Sequence, residues 1–263
     1  MKTSYHNHTL HSDGNASIEE MLQAARDADL DELGFSDHLA LHPKGILLDW
    51  SMNEEHLETY VDDVLAAMGK PGPRIRLGLE ADFFPETVEK LRTLLAPFPF
   101  DYVIGSVHFA DSFQVDAGRR PWEALSSAER EEKWELYWRR VAQMAQSRAF
   151  DFAGHLDLPK RFVPGSQDNV RPSALAALDA IAEAGMAMEI NTSGWFHPAK
   201  EAYPSPVLLG EARKRGIPIL INADAHKPKQ VAQRFEDARA LAREAGYSEV
   251  VRYEKRKRFF VPL

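Results

Sequence analysis

The chain has 263 residues, 44% hydrophobic and 27% charged, an ordinary globular composition with length for one large domain or two small ones. A net charge of −8 with ten neutral histidines argues against nucleic acid or an acidic membrane surface as the main partner, and no apolar run approaches a membrane span. The absence of cysteine excludes disulfides, thiolate nucleophiles and zinc-finger sites, so any metal must be held by histidine and carboxylate. With no signal-peptide pattern at the start, we expect a cytoplasmic protein.

Ser4 to Gly14 carries three histidines and an aspartate. If the segment entering His6 and His8 is a strand, both side chains project to one face. Two imidazoles on one face, with Asp13 a short turn later, look like half of a metal site. Ser17-Ile18-Glu19-Glu20 is a capping-box pattern and leads into an amphipathic helix. Glu32 to Ser36 reads as a strand ending at Asp37-His38; His42 to Trp50 is a loop, with His42 and, further on, His56 read as loop or surface residues. Asn53 to Met68 is helical, Ile75 to Leu79 is a strand ending at Glu80, and Pro85 opens a helix to about Leu95. Tyr102 to Val107 is strand-like and ends at His108.

A long insertion follows, with a charged helix from about Ser126 to Ser147 whose Trp134, Tyr137, Trp138 and Val141 fall at helical spacing, as core contacts do. Phe150 to Ala153 is a strand ending at Gly154-His155. Pro172 suits a first helical position, and that helix stops at Gly185. Met186 to Ile190 is a strand ending at Asn191, Pro206 to Arg215 a helix, and Ile217 to Asn222 a strand ending at Asp224-Ala225-His226. A last helix is expected from about Lys229 to Ala245, with terminal strands at Val250 to Tyr253 and Phe259 to Val261.

The alternation predicts an α/β fold, a parallel (β/α)7 barrel formed by residues 1–263 as one domain. Strand after strand ends in a metal-ligand residue type: His6 and His8, His38, Glu80, His108, His155, then Asp224 and His226. In such a barrel the carboxyl ends of the strands meet on one face, where active sites are built. A lone histidine at a strand end is usually structural. Six of them converging with Asp13, Glu80 and Asp224 point to a multinuclear metal site.

These motifs resemble a known superfamily. His6-x-His8, Ser36-Asp37-His38, Gly78-Leu79-Glu80, Gly105-Ser106-Val107-His108, Gly154-His155 and Asp224-Ala225-His226 are similar to those of the polymerase-and-histidinol-phosphatase (PHP) superfamily. Gly78-Leu79-Glu80-Ala81-Asp82, Gly154-His155-Leu156-Asp157-Leu158-Pro159-Lys160, Asn191-Thr192-Ser193-Gly194 and Tyr203-Pro204-Ser205-Pro206 look like its monofunctional histidinol-phosphate phosphatases. The resemblance implies a distorted (β/α)7 barrel with three divalent metal ions. His6, His8, Glu80 and Asp224 would hold the first, and Glu80 would bridge to a second that also takes His108 and His155. Asp13, His38 and His226 would hold the third. Asp13 is preferred to His11, whose spacing from His8 fits less well. It also implies hydrolysis of L-histidinol phosphate, a step of histidine biosynthesis, with Glu80, His108, Asp224 and His226 acting through a metal-bound hydroxide.

The residues themselves agree with phosphoester hydrolysis, since clustered divalent ions activate a bridging water and clamp phosphate oxygens. Nitrogen and oxygen ligation without sulfur suits zinc, manganese or iron. Asp37 either orients an imidazole or caps the turn that follows it. Lys160 and Arg161 follow the fifth strand and are phosphate-binding candidates. After Asn191-Thr192-Ser193-Gly194 the phosphatases resembled here usually continue with leucine and basic residues, including an arginine. This chain has Trp195-Phe196-His197-Pro198-Ala199-Lys200 instead, so His197 or Lys200 would substitute, or Trp195 and Phe196 would stack on a substrate ring or simply pack. The departure favours, as alternatives, a phosphoesterase of the same superfamily acting on a nucleotide or sugar phosphate. A non-catalytic barrel would have lost ligands, and all nine positions carry competent side chains. A metallo-amidohydrolase would want a lysine at a strand end, and there is none. The expected partner is a small phosphomonoester, and the N-terminus should be buried as a central strand with an added tag at the barrel floor.

Overall fold

The computed structural model describes residues 1–162 and 171–263. In chain order, β1 (Thr3–Ser4) is followed by α1 (Ile18–Asp27), β2 (Glu32–Phe35), β3 (His38–Leu39), α2 (Leu57–Ala67), β4 (Arg74–Leu77), β5 (Glu80–Asp82), α3 (Val88–Leu95) and β6 (Ile104–Ser106). The insertion holds β7 (Phe109–Ala110), β8 (Phe113–Gln114), α4 (Arg119–Glu123) and α5 (Ser127–Ser147). Then come β9 (Phe152–Ala153), α6 (Pro172–Ala184), β10 (Ala187–Asn191), α7 (Pro206–Lys214), β11 (Ile219–Asn222), α8 (Phe235–Glu244), β12 (Glu249–Glu254) and β13 (Lys257–Pro262). The capping box at Ser17 forms: its hydroxyl accepts from Glu20 N while the Glu20 carboxylate accepts from Ser17 N, satisfying two orphan donors of α1.

Parallel pairing runs β1–β2–β4, and then β3–β5–β6–β9–β10–β11. The two sheets are one ring, because β2 and β3 are a single barrel strand interrupted at Ser36-Asp37, and β4 and β5 one interrupted at Gly78-Leu79. The ring closes between its last and first strands. Asn7 and Ala225 form a parallel bridge, His8 N donates to Ala225 O at 2.8 Å, and Ala225 N donates to His6 O at 3.1 Å. The result is a distorted (β/α)7 barrel.

Inside the ring a compact apolar group fills the lower half. Tyr5, Tyr102, Phe152 and Tyr253 form a chain of ring contacts with centroids 5.1 to 5.7 Å apart, and Ile104, Ala187, Leu220 and Val251 complete the cluster. Tyr102 Oη donates to Tyr5 O at 2.5 Å. Room for its ring depends on two glycines, since a Cβ on Gly34 would lie 2.0 Å from Tyr102 Oη and one on Gly78 2.1 Å from its Cζ. The antiparallel hairpin β12–β13 lies against this end, with Tyr253 Oη donating to Asp151 O. Arg76 and Glu32, both almost fully buried, pair below it in a two-pronged contact of 2.7 and 3.1 Å. Tyr5 to Thr9 are fully buried, whereas Met1 is 42% exposed beside a groove of about 1030 Å³ at the barrel floor, on the side where the sequence placed an added tag.

Several elements, among them α8 and those of the insertion, depart from the sequence expectation. The segment after His226 makes a short turn at Pro228–Gln230, and α8 begins only at Phe235. Gln230 Oε1 accepts from His226 N at 3.0 Å and Gln233 Nε2 donates to Ala223 O at 3.2 Å, so these side chains are drawn toward the site loop before the helix starts. The insertion also contains the hairpin β7–β8, too short for periodicity to reveal. Among the described residues, no helix is long and apolar enough to cross a membrane.

Candidate metal centre

Above the apolar cluster the strand ends turn polar, and the nine residues expected as ligands come together. Glu80, fully buried at the start of β5, is the hub. Its Oε2 lies 2.9 Å from His6 Nε2, 3.4 Å from His8 Nε2 and 2.9 Å from His38 Nδ1; its Oε1 lies 2.9 Å from His155 Nε2 and 3.8 Å from His108 Nε2. Asp224 Oδ1 stands 3.3 Å from His8 Nε2 and 3.7 Å from His6 Nε2. Asp13 Oδ1 faces His226 Nε2 at 3.2 Å and His38 Nε2 at 3.7 Å. Among the described residues four overlapping groups have donor atoms close enough to share an ion: His8, Asp13, His38 and His226; His6, Glu80 and His155; His6, His8 and Asp224; and His38, Glu80 and His108. His8 and His38 each belong to two groups, so the partition among ions is less clean than the motif-by-motif expectation. His11 points elsewhere, with Nε2 3.1 Å from Asp63.

The electrostatics fit a cation. His8 Nδ1 and Nε2 are buried with no hydrogen-bond partner, a costly state that metal coordination would relieve. Burial, with His38 and His226 nearby, lowers the His8 pKa to about 3, so its ring is neutral and offers a lone pair. Burial opposes ionisation of Glu80, but the surrounding imidazoles, His38 first, hold it well below the usual carboxylate range. The donor set suits divalent ions with nitrogen and oxygen ligation, and it is positioned for a multi-metal site.

Behind the ligands stand groups that fix their orientation. Glu189, fully buried on β10, lies 3.0 Å from His6 Nδ1 and accepts from His155 N at 2.8 Å, Asn191 Nδ2 at 2.7 Å and Asn222 Nδ2 at 2.8 Å. Asp82 stands 3.0 Å from His108 Nδ1; burial opposes protonation of that ring, and Asp82 outweighs it, raising the pKa to about 10. When an ion displaces the proton, Nδ1–H of His6 and His108 would face the carboxylate and the Nε2 lone pair would face the cluster. His226 Nδ1 lies 3.1 Å from the carbonyl of Asp224, itself in the left-handed region at φ 52°. Neither Glu189 nor Asp82 stood out in the sequence. The signals were present: Glu189 is the one charge in an otherwise apolar strand, and Asp82 shares the face of Glu80 two residues on.

The family model described as PHP domain matches residues 4–193. The chain belongs to the PHP domain family. A Deinococcus radiodurans protein named as a probable histidinol-phosphatase is 41% identical over 234 residues, 86% of each chain. The histidinol-phosphatase of Lactococcus lactis is 27% identical, covering 97% of this chain and 96% of its own. A crystal structure of the Lactococcus lactis histidinol phosphate phosphatase, complexed with zinc, L-histidinol and phosphate, superposes with a TM-score of 0.78 at 23% identity, covering 98% of both chains. That likeness carries the fold.

A cavity of about 400 Å³ opens over the centre of this PHP domain, and Trp50, Phe196, Arg161, His197 and Lys227 are among its walls. Trp50 sits edge-on to His38 and His108, with centroids 4.9 and 5.3 Å away. Arg161 and His197 therefore border the cavity as expected, and Lys227, next to a ligand, joins them. Lys160 does not. Its ammonium is 1% exposed and donates to Asp157 Oδ2, Glu201 Oε2 and Ala202 O at 3.1, 3.4 and 2.7 Å, above the ring of Tyr203. It ties the loop after β9 to the segment before α7, and its neighbours leave it no donor for a phosphate. Burial, then the charge of Arg161, lowers the His197 pKa to about 4, so it enters the cavity as a neutral ring. Trp195 packs on the core beneath the Arg234 guanidinium at 4.9 Å, while Phe196 is 55% exposed at the mouth. Asp37 neither orients an imidazole nor caps the turn that follows it; it ties down the loop after the first strand. It accepts from Thr9 N at 2.7 Å, Thr9 Oγ1 at 2.9 Å and Ser12 Oγ at 2.7 Å, which holds the loop carrying Asp13. His42 lies between the ring edges of Phe84 and Phe109, and His56 is exposed.

Proposed function

We propose that the chain is a metal-dependent phosphomonoesterase that hydrolyses L-histidinol phosphate to L-histidinol and phosphate. The observation that carries the reading is the convergence of eight ligand-type side chains around the buried Glu80, beneath a cavity bordered by Arg161 and Lys227. The 41% identity to a protein named as a histidinol-phosphatase supports this substrate. His6, His8, Glu80 and Asp224 would hold one ion, Glu80, His108 and His155 a second, and Asp13, His38 and His226 a third, each zinc, manganese or iron. Bound divalent ions supply charge to the phosphate oxygens and lower the pKa of water at the centre.

The protein's own share is positioning. Glu189 and Asp82 keep the rings of His6 and His108 turned toward the centre, and the Asp224 carbonyl does the same for His226. Arg161 would bring a fixed positive charge and His197 a neutral N–H donor to the phosphate. Trp50 and Phe196 would shield the cavity rim from water. Residues 1–263 are proposed to act as one domain, because the strand closing the ring and carrying Asp224 lies beyond residues 4–193. A cytoplasmic setting belongs to the same reading and follows from the biosynthetic role.

The test is phosphate release from a panel of phosphomonoesters after metal reconstitution, with His226→Ala beside the parent. Histidinol phosphate should be the preferred ester, and His226→Ala should lose at least about 100-fold of that activity. Turnover of nucleotide or sugar phosphates with none on histidinol phosphate would sink the substrate.

A further inference from the structure

Directly after His108, the β7–β8 hairpin folds back beside the cavity. It is pinned where Val115 N donates to His108 O at 2.9 Å and Trp122 Nε1 donates to Val115 O at 2.8 Å. Val115 is fully buried, so Asp116 leaves the hairpin from a fixed point, and it lines the cavity. Among the described residues three carboxylates border this cavity; Asp13 and Asp224 belong to the metal-ligand groups, and Asp116 does not. Its negative charge reaches both His108 and Tyr203. Among the described residues its side chain has one hydrogen bond, accepted by Oδ1 from Gln114 Nε2 at 3.1 Å, and no cationic group pairs with it.

A carboxylate here repels a phosphate dianion, which works against binding if the substrate is purely anionic. The arrangement makes sense for a zwitterion, whose phosphate would meet the cationic Arg161 or Lys227 of the lining and whose own cation lies within a few bonds of it. We propose that Asp116 is a specificity residue that receives a primary ammonium carried by the substrate close to its phosphate, with Gln114 steadying the carboxylate. This rests on the phosphomonoesterase reading above and names which acid at the barrel mouth takes the amine. An ammonium–carboxylate contact is charge-assisted, and a hydroxyl in the ammonium's place leaves the half-buried carboxylate without its counter-charge.

The experiment measures kcat and KM of the metal-loaded parent and Asp116→Asn on L-histidinol phosphate and on a matched pair, 2-aminoethyl phosphate and 2-hydroxyethyl phosphate. Metal content is determined in both proteins. Asp116→Asn should keep its metal and raise KM for the two ammonium esters about 30-fold, with kcat and the hydroxyl ester changed less than about threefold. Asp116→Glu, which keeps the charge, should recover part of the preference. Equal losses on both members of the pair, or loss of metal, would overturn the assignment by showing a structural role. A parent that prefers histidinol phosphate, with the preference intact in Asp116→Asn, would overturn this assignment and leave the substrate reading standing. A preference for other ammonium esters over histidinol phosphate, abolished in Asp116→Asn, would do the reverse. A parent indifferent to the ammonium would overturn both.

Discussion

Glu189 touches no substrate, yet four groups around the centre depend on it: the His6 ring, His155 N, Asn191 and Asn222. Replacing it with glutamine leaves the size but removes the charge that fixes His6, and a change of this kind usually costs about 10- to 100-fold in metal affinity. Chelator competition on Glu189→Gln should read that loss, and an unchanged affinity would mean His6 is oriented by packing alone. Lys160 predicts a different outcome. Lys160→Met leaves Asp157 buried without its counter-charge, so stability should fall by about 3 kcal/mol in urea unfolding while KM for phosphate esters stays within about twofold. Asp151 supplies a pH signature away from the metals. Burial raises its pKa to about 6 against the pull of Arg256, above the ordinary value of 3.8. The folded state therefore holds this proton more tightly than the unfolded chain. The stability it contributes is complete below about pH 4 and is lost as pH rises through about 6, with an upper bound of about 3 kcal/mol. Asp151→Asn lacks this titration, so the stability difference, parent minus variant, should shrink between about pH 4 and pH 7 when both are unfolded in urea.

At the scale of elements, the barrel strands are constrained by one ring. Gly34 on β2 and Gly78 between β4 and β5 both face Tyr102, and a methyl group at either meets it at about 2 Å. Gly34→Ala and Gly78→Ala should each destabilise by about 1–3 kcal/mol or more through overpacking. The two should respond differently to Tyr102→Phe. Gly34 faces the hydroxyl, so removing that oxygen should recover part of the loss; Gly78 faces the ring carbons, so it should recover little. Double-mutant cycles by urea unfolding read both. The same elements show what the sequence could convey. Strands and their last residues were legible because apolar runs end where a side chain must meet water or a metal, as at His108 and His155. The interruptions at Ser36-Asp37 and Gly78-Leu79 were not, since they arise from closing the ring. The delayed start of α8 was hidden for a related reason: Gln230 and Gln233 bond to His226 and Ala223, contacts that no local periodicity encodes. Lys160 misled because a place just after a barrel strand says nothing about which way an ammonium turns.

Across the whole molecule the barrel has two ends with opposite chemistry. The floor is apolar and self-sufficient, held by Tyr5, Tyr102, Phe152 and Tyr253 and by the Arg76–Glu32 pair. The candidate metal centre near the mouth brings together five carboxylates (Asp13, Glu80, Asp82, Glu189 and Asp224) and the six strand-end histidines, with His8 Nδ1 and Nε2 buried and unsatisfied. Ions bound at about 1,000 times their dissociation constant would add roughly 4 kcal/mol per site to stability. Chelation should therefore lower the melting temperature, and the loss should be local. Without ions, Glu80 still attracts His6 and His38, and Asp82 still holds His108, so the mouth keeps ion pairs that prevent collapse of the fold. Hydrogen exchange after chelation should rise first in residues 8–13 and 223–233, the loops that carry Asp13, Asp224 and His226 and rest on few backbone bonds. Protection at Tyr5, Ile104 and Leu220 should persist, because their side chains lie in the apolar cluster beneath the centre. Equal loss of protection at both ends would mean that the metals hold the entire barrel, and that the aromatic floor cannot stand alone.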